Sequence, residues 1–407
     1  PVLQRRASLR RSRLKPAGGV FVSSSHVILM LDPKGGTMND RQRILALLSG
    51  GVPDRVPWFG DLAYWAAAME DRGEVPKDWQ RTEDYYRFHR ELGVGFYLQG
   101  YWAFRTVVCG DVTIEERQEA SARWRSIRTP VGTLEEEWHY LPASSAWAPY
   151  RHLVNSPGDL PALRYWWEHL QYLPDEEEAR RRRPWVDDLG VVLCYLPRSP
   201  FMQLTVEFAG IANVVELWSQ ACDELEETLR VMERSADRAA EVAVTVPADC
   251  LMIPENLSSE VIGRRLYESY VRPWEEKWVA RIRAAGKYSF IHMDGTLRGL
   301  LGQVGKVGYD CIEAVTPEPV GDMPMRDLRA LAGPRSVLWG GLPGIYFTPL
   351  VGEAEFERHV RETLEVMVAD KRMVLGVADQ VPPDGLRARV ARVVELVERY
   401  GRYASSE

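Results

Sequence analysis

The C-terminal half of the sequence alternates short apolar segments with longer amphipathic ones. Apolar segments of strand length recur at residues 250–253, 288–291, 311–315, 337–339 and 373–376. Between two of them, Leu297, Leu300, Leu301 and Val304 have the spacing of one helix face, and Gly308 ends that helix. Strands that alternate with helices of this length form parallel βαβ units, so the pattern predicts an α/β fold.

Polar residues stand at the ends of several predicted strands. Glu255, His292, Glu313 and Asp379 each fall at or just past the C-terminal end of such a segment. In β/α barrels the catalytic groups come from these strand ends and from the loops that follow them. We therefore expect the four side chains to face a common site.

A different pattern occupies residues 106–140. Polar and apolar residues alternate through residues 116–126, and a second strand-like segment follows the turn signal Thr129-Pro130-Val131-Gly132. This alternation predicts an antiparallel hairpin inserted between barrel elements in the N-terminal half of the chain.

Charge and cysteine usage restrict the functional class. The chain has a net charge of −7, but residues 1–31 hold six basic residues and no acid, so the rest carries about −13. An acidic body argues against a nucleic-acid partner, and no apolar segment is long enough to span a bilayer. Five scattered cysteines without a CxxC pair indicate reduced thiols in the cytoplasm.

The basic N-terminal segment is interpreted as a leader. We expect residues 1–37 to be disordered and Met38 to be the natural beginning, because Asn39 can cap a helix that Gly50 and Gly51 close. Residues 38–407 then form a single domain, since barrels with insertions often exceed 250 residues.

Several short motifs resemble one known family. They are RQRILALLSGGVPDRVPWFGD, LPRSPFMQLTVEFAG, HMDG, IEAVTPEPVGD and ADQVPPDG, spread from Arg41 to Gly385. Together they look like the uroporphyrinogen decarboxylase superfamily, in particular its corrinoid-dependent methyltransferase branch. The resemblance covers the chain from Met38 onward. It implies a single (β/α)8 TIM barrel with a funnel at its C-terminal face, where many members bind zinc and move a methyl group to cobalt.

The resemblance also implies a metal site. Zinc-containing members hold the ion with a His-x-Cys pair and a second Cys on the last strand. Here His292 matches the histidine, Asp294 replaces the first cysteine, and Asp379 falls near the second. Nitrogen and oxygen ligands can still bind zinc when three converge, so we expect Glu255, His292 and Asp379 as ligands. His292 and Asp294 can alternatively bond each other without a metal.

Glu313 and Asp294 are the expected catalytic residues. Glu313 can hold His292 in one tautomer, or it can act as the acid that protonates the leaving group. The sequence leaves both roles open.

Aromatic residues are dense after the first predicted strands. Most should pack in the core, but those just after strands can line a cavity that binds an aromatic ether by stacking or a quaternary ammonium by cation–π attraction. The expected substrate-binding residues are Trp58, Asp61, Tyr64, Trp65, Tyr97, Tyr101, Trp102 and Glu207.

The expected function is the methyltransferase of a corrinoid-dependent demethylase system. It would move a methyl group from a small methylated compound, a methoxylated aromatic or a methylamine, to the cobalt of a separate corrinoid protein docked at the C-terminal face. The corrinoid comes from that partner, because no corrinoid-binding segment is found in the sequence. A homodimer is compatible with this arrangement.

Two alternatives remain. One is a decarboxylase of a porphyrinogen or another carboxylated substrate, although the arginines that such an enzyme needs after its first strand are replaced here by Asp61 and aromatic residues. The other is a metal-free barrel with a binding role or a different catalytic role, which the fold alone does not exclude.

Overall fold

The computed structural model describes residues 37–97, 101–142 and 146–403. The leader predicted at residues 1–37 lies outside this part of the chain, except for Thr37. The described residues from Met38 onward belong to one compact unit.

Thirteen strands form three sheets in the described residues. The strands are β1 (Tyr101–Trp102), β2 (Phe104–Val108), β3 (Thr113–Gln118), β4 (Ala122–Thr129), β5 (Gly132–Leu141), β6 (Ala146–Arg151), β7 (Leu170–Pro174), β8 (Leu193–Tyr195), β9 (Cys250–Leu257), β10 (Tyr288–Met293), β11 (Cys311–Val315), β12 (Val337–Pro343) and β13 (Met373–Ala378). The largest sheet is parallel throughout, in the order β1-β8-β9-β10-β11-β12-β13. This arrangement confirms the α/β class and is consistent with a TIM-barrel-like fold.

Helices separate the parallel strands. They are α1 (Asp40–Leu48), α2 (Ala63–Asp71), α3 (Glu83–Leu92), α4 (Leu160–Glu168), α5 (Glu177–Val186), α6 (Pro200–Gln203), α7 (Gly210–Gln220), α8 (Cys222–Ala243), α9 (Arg264–Leu266), α10 (Arg272–Ala284), α11 (Leu301–Val307), α12 (Leu328–Ala332), α13 (Glu353–Asp370) and α14 (Arg387–Tyr400). Short 3-10 segments lie at Trp79–Arg81, Pro157–Asp159, Asp187–Leu189, Met325–Asp327 and Gly344–Phe347, and π-helical segments at Leu204–Ala209 and Tyr267–Val271. In the described ranges, no helix has both the length and the apolar character needed to cross a membrane.

Local sequence signals explain several of these boundaries. Asn39 accepts a hydrogen bond from the backbone N–H of Gln42, and the Gln42 side chain accepts one from the backbone N–H of Asn39, so a capping box starts α1. Gly308 ends α11 with a φ of +94°, a conformation that a side chain disfavours. Every residue of β11, β12 and β13 is buried, as expected for strands of a parallel sheet covered on both faces.

Two short segments extend the parallel sheet beyond its outer strands. Trp58 forms a parallel bridge to Leu375 of β13, and the backbone N–H of Gly95 donates to the Trp58 carbonyl at 2.9 Å. Phe96 in turn forms a parallel bridge to Gly190, just before β8. The segments around Trp58 and Phe96 therefore connect β13 to the chain that enters β8.

Two apolar clusters pack on the strands. Phe59, Tyr97, Phe290 and Trp339 belong to the smaller cluster, in which the Phe59 and Trp339 rings lie 5.1 Å apart and the Tyr97 and Trp339 rings 4.2 Å apart. The larger cluster fills the space between strands and helices and includes Trp278, which is fully buried. Since side chains alternate along a strand, the sheet presents one face to each cluster.

The predicted hairpin at residues 106–140 requires correction. In the structure β3, β4, β5 and β6 form a four-stranded antiparallel sheet, while β2 pairs with β7 instead. The alternating pattern predicted the pairing of β4 with β5, but it treated residues 116–126 as one stretch, whereas the structure divides them between the paired strands β3 and β4. The β2–β7 pairing joins segments more than sixty residues apart, and β6 is short and contains Pro149, so neither left a local signal.

The bridge at Gly190 should be sensitive to added volume. A Cβ atom there would lie 2.0 Å from the carbonyl oxygen of Phe96 and 2.9 Å from the Phe59 ring. We expect Gly190→Ala to lower the free energy of unfolding by about 1–3 kcal/mol, because backbone atoms must shift. Gly263→Ala, where nothing lies within 4 Å, is the control and should change stability little. Urea denaturation of both variants checks this, and equal stability would contradict the close approach.

Candidate active site

The parallel sheet brings three of the predicted residues together at the C-terminal ends of its strands. His292 lies on β10 and pairs in register with Glu313 on β11, and Asp379 directly follows β13. One ligand atom from each of these three residues lies within 4.8 Å of the others. Because β10 to β13 are consecutive neighbours, their ends converge on one region, as the sequence predicted.

A chain of hydrogen bonds fixes the histidine. Its Nδ1 lies 2.6 Å from Glu313 Oε2, and the Tyr97 hydroxyl donates to Glu313 Oε1 at 2.8 Å. Both carboxylate oxygens of Glu313, which is fully buried, are therefore engaged. The other ring nitrogen, Nε2, lies 3.9 Å from Asp379 Oδ1, so it is the atom that faces the open side of the group.

Buried acids shape the electrostatics of the site. Burial favours neutral His292, but the charge and hydrogen bond of Glu313, assisted by Asp379 and Asp294, raise the pKa of His292 to about 10. Burial raises the pKa of Asp379 to about 6, although the nearby His292 opposes that shift. The site therefore concentrates negative charge around one imidazolium.

A fourth acid, Asp61, lies beside this group. Burial raises the pKa of Asp61 to about 8, and the charge of Asp379 adds to the effect. Its Oδ1 accepts from the backbone N–H of Ala63 at 2.7 Å and its Oδ2 from Gln380 Nε2 at 3.1 Å. A carboxyl with this pKa holds its proton at neutral pH and can donate it.

The donor set fits a divalent metal that accepts nitrogen and oxygen ligands. His292, Glu313 and Asp379 supply one imidazole and two carboxylates, and this group contains no thiolate. A separation of 3.9 Å between His292 Nε2 and Asp379 Oδ1 admits an ion at the usual zinc–ligand distances of about 2.0–2.2 Å from each. Glu313 is less available as a ligand, because its oxygens already bind His292 and Tyr97.

The predicted ligand Glu255 lies elsewhere and requires correction. It is fully buried, and its Oε1 accepts from the backbone N–H of Ser199 at 2.8 Å. It is not among the three residues that converge. Its position at the end of β9 suggested a shared site, but its side chain turns toward the loop after β8. Asp294, the other predicted catalytic residue, is half-buried, and its charge acts on both His292 and Asp379.

Two of the predicted wall residues are core residues instead. Trp65 is 5% exposed and packs on Phe88 with ring centroids 5.7 Å apart. Trp58 is 4% exposed and stacks on Phe347 at 6.2 Å. Helix α2 turns Trp65 inward toward α3, a direction that the sequence alone did not reveal. Neither ring has enough exposed surface to serve as an open stacking wall.

The remaining predicted substrate residues are divided among different environments. Tyr97 is buried and bonds Glu313, Tyr64 is half-buried on α2, and the side chain of Tyr101 lies outside the described part of the chain. Trp102 is 43% exposed and lines a cavity of about 440 Å³ together with Glu207. Among the described residues, His292, Glu313 and Asp379 do not line that cavity.

Tyr195 and Gln380 were not predicted from the sequence as site residues. Tyr195 ends β8 and its ring lies 5.7 Å from that of Trp102; burial and the charges of Asp61, Glu313 and Asp379 raise its pKa. Gln380 follows Asp379 and bonds Asp61. Both residues stand at the C-terminal ends of strands, so position was the signal that could have identified them.

Comparison with known proteins agrees with this architecture. The sequence profile of the uroporphyrinogen decarboxylase (URO-D) family matches residues 198–400. Residues 198–400 therefore belong to the uroporphyrinogen decarboxylase superfamily. The matched part includes His292, Glu313 and Asp379, whereas Asp61 and Tyr97 precede it. A search of curated proteins finds no match to the chain.

A solved structure shares the superfamily fold. A methyltransferase from Methanosarcina mazei superposes with a TM-score of 0.55 at 14% identity, covering 89% of this chain and 99% of the other. MenC from Desulfotalea psychrophila and the fructuronate-tagaturonate epimerase UxaE from Cohnella laeviribosi reach TM-scores of only 0.24 and 0.22. MenC is 11% identical and covers 75% of this chain and 87% of its own. UxaE is 12% identical and covers 72% of this chain and 71% of its own. Scores this low support no conclusion.

Removing the charge of Glu313 should lower the pKa of His292. In the metal-free protein a histidine pKa near 10, above its unfolded value of about 6.5, stabilises the fold fully below pH 6.5, and this contribution is lost as the pH rises toward 10. Glu313→Gln should therefore cost about 3 kcal/mol at pH 6 and much less at pH 10. NMR titration of His292 and urea unfolding at both pH values measure this.

Tyr97→Phe is the matched control for that experiment. It removes one hydrogen bond from Glu313 but leaves its charge, so the pKa of His292 should stay well above 6.5. An unchanged His292 titration in Glu313→Gln would contradict the assigned pairing.

Proposed function

We propose that this protein is a corrinoid-dependent methyltransferase that moves a methyl group from a small methylated compound to the cobalt of a separate corrinoid protein. The observation that supports it most is the buried Tyr97–Glu313–His292 chain, which leaves His292 Nε2 facing Asp379. This geometry is suited to hold a metal beside a leaving group. The shared fold of the Methanosarcina mazei methyltransferase is compatible with it.

We infer that the parallel strands complete an eight-stranded barrel. The bridges Trp58–Leu375 and Phe96–Gly190, with the hydrogen bond from Gly95 to Trp58, supply the contacts that closure needs. In such a barrel the C-terminal ends of all strands surround one funnel, which is where substrate and corrinoid protein would meet.

His292 and Asp379 would hold a zinc ion, His292 through Nε2 and Asp379 through a carboxylate oxygen. Glu313 would act through His292, since a carboxylate on Nδ1 fixes the tautomer and the ring orientation of a metal-binding imidazole. Because both oxygens of Glu313 are engaged, this role fits better than that of a proton donor. A bound zinc ion would supply Lewis acidity toward the departing oxygen or nitrogen.

Asp61 is the proposed proton donor. When the methyl carbon of an ether moves to cobalt, the oxygen left behind keeps the electron pair of the broken bond and needs a proton. A methylated ammonium would leave as a neutral amine and would not need this proton. The carboxyl of Asp61, with a pKa near 8, carries that proton at neutral pH. Gln380 orients it from the loop that also carries Asp379.

A methoxylated aromatic is the preferred substrate class and a methylamine the second. The exposed Trp102 ring, 5.7 Å from the ring of Tyr195 at the end of β8, offers aromatic surface on which a planar ligand would stack. The protein's share of catalysis would be orientation and stabilisation of the leaving group.

The decarboxylase alternative has less support at this site. A polycarboxylated tetrapyrrole needs cations, but the groups that surround His292 are the carboxyls of Asp61, Glu313 and Asp379. Arg198, whose charge acts on Tyr195 and Glu255, is already paired with Glu207.

Metal content tests the proposed ligand set. We expect His292→Ala and Asp379→Ala to lose nearly all bound zinc, and Glu313→Gln to bind it about 10- to 100-fold more weakly. Glu255→Gln is the control, since that carboxyl points away from the group, and it should retain zinc. Elemental analysis after equilibration with zinc measures this, and equal content in wild type and His292→Ala would refute the site.

The reaction is tested with a reduced corrinoid protein and a panel of methoxylated aromatics and methylamines. We expect conversion of Co(I) to methyl-Co(III), seen as a change in the cobalt absorption spectrum. Asp61→Asn should lower kcat by about 10²–10⁴-fold with little effect on zinc content, because only proton transfer is lost. If no methyl donor is accepted while a carboxylated substrate releases carbon dioxide, the decarboxylase function replaces this one.

A further inference from the structure

The inner face of the four-stranded sheet carries three cross-strand rows of side chains. The first row is apolar and consists of Ile114, Ile127 and Leu134; the second is charged and consists of Glu116, Arg125 and Glu136; the third consists of Gln118, Arg123 and Trp138. Side chains directly opposite each other on neighbouring strands interact, so a charged residue in a row is best paired by an opposite charge in the same row.

The charged row is internally paired. Arg125 lies between two glutamates, and its guanidinium contacts Glu136 at 2.8 Å, with Glu136 only 8% exposed. The adjacent Glu207 is paired with Arg198 and also accepts a hydrogen bond from Gln203 at 2.7 Å. Glu136 and Glu207 are therefore already engaged.

Arg123 has no acid opposite it. Its cross-strand neighbours are Gln118 and Trp138, and within the described part of the chain it forms no ion pair or side-chain hydrogen bond. Its guanidinium lies 4.7 Å from the Trp138 ring centroid and 5.0 Å from that of Trp147. Two indole rings thus hold the group while its N–H donors remain available.

Arg123 helps to line a cavity of about 530 Å³. Arg123, Trp138, Glu136 and Glu207 are among the residues that line it. This volume lies within the range of small-molecule sites. None of the described residues lining it belongs to the His292 group, although it shares Glu207 with the cavity that Trp102 lines.

We propose that this cavity binds a small planar aromatic carboxylate through Arg123. A guanidinium presents a rigid fork of donors that matches the two oxygens of a carboxylate. The carboxylate supplies the negative charge that is missing from the third row, and the ligand ring packs against Trp138. The proposal does not depend on methyl transfer.

Calorimetric titration of the full chain with benzoate tests the proposal, with benzamide, acetate and inorganic phosphate as comparison ligands. We expect saturable benzoate binding that weakens about tenfold or more in Arg123→Gln, because the charged hydrogen bonds are lost. Arg123→Lys should also bind more weakly, since a point charge lacks the fork. Benzamide should bind much more weakly than benzoate, and acetate and phosphate should not compete with it effectively.

Arg128→Gln is the matched control. Arg128 lies on the same strand but on the opposite face, where it pairs with Glu115 at 3.0 Å, so its loss should leave benzoate affinity unchanged. Circular dichroism confirms folding of each variant. Unchanged affinity in both Arg123 variants, equal binding of benzamide, tighter binding of phosphate than of benzoate, or no saturable benzoate binding would each overturn the proposal.

Discussion

The hydrogen bond between His292 Nδ1 and Glu313 organises the active site. It exists because β10 and β11 are parallel neighbours in a register that places the two residues side by side. A shift by one residue would turn either side chain to the other face of the sheet. Tyr97 fixes the second oxygen of Glu313, so the imidazole has one orientation and one nitrogen left for chemistry.

Burial gives the surrounding acids different protonation states. Asp379 has a pKa near 6 beside the imidazole, while Asp61, more deeply buried and next to another acid, has one near 8. Asp379 and Asp61, which are connected through Gln380, can thus take separate roles. The ionised Asp379 can bind a metal, and the protonated Asp61 can donate to a leaving group. Asp61 lies close to Asp379 because the segment that contains Trp58 forms a parallel bridge to Leu375 of β13.

The inserted antiparallel sheet adds a second chemical environment. Its inner face has an apolar row, a charged row and a row that contains Arg123, whose guanidinium lies near two indole rings. The planar fork of donors on a guanidinium matches the two oxygens of a carboxylate. The URO-D match starts at residue 198, after this sheet, and so does not include Arg123.

The sequence by itself determined the α/β class, the strands of the C-terminal half and the nearness of His292, Glu313 and Asp379, because buried strands and helix periodicity leave local patterns. Only the tertiary structure decided that Glu255 turns away, that Trp58 and Trp65 pack in the core, and that Tyr97 binds Glu313 rather than a substrate. These outcomes depend on which distant side chain fills the adjacent space. Contacts between remote segments, such as Tyr97 with Glu313, are set by packing, and packing has no local signature in the chain.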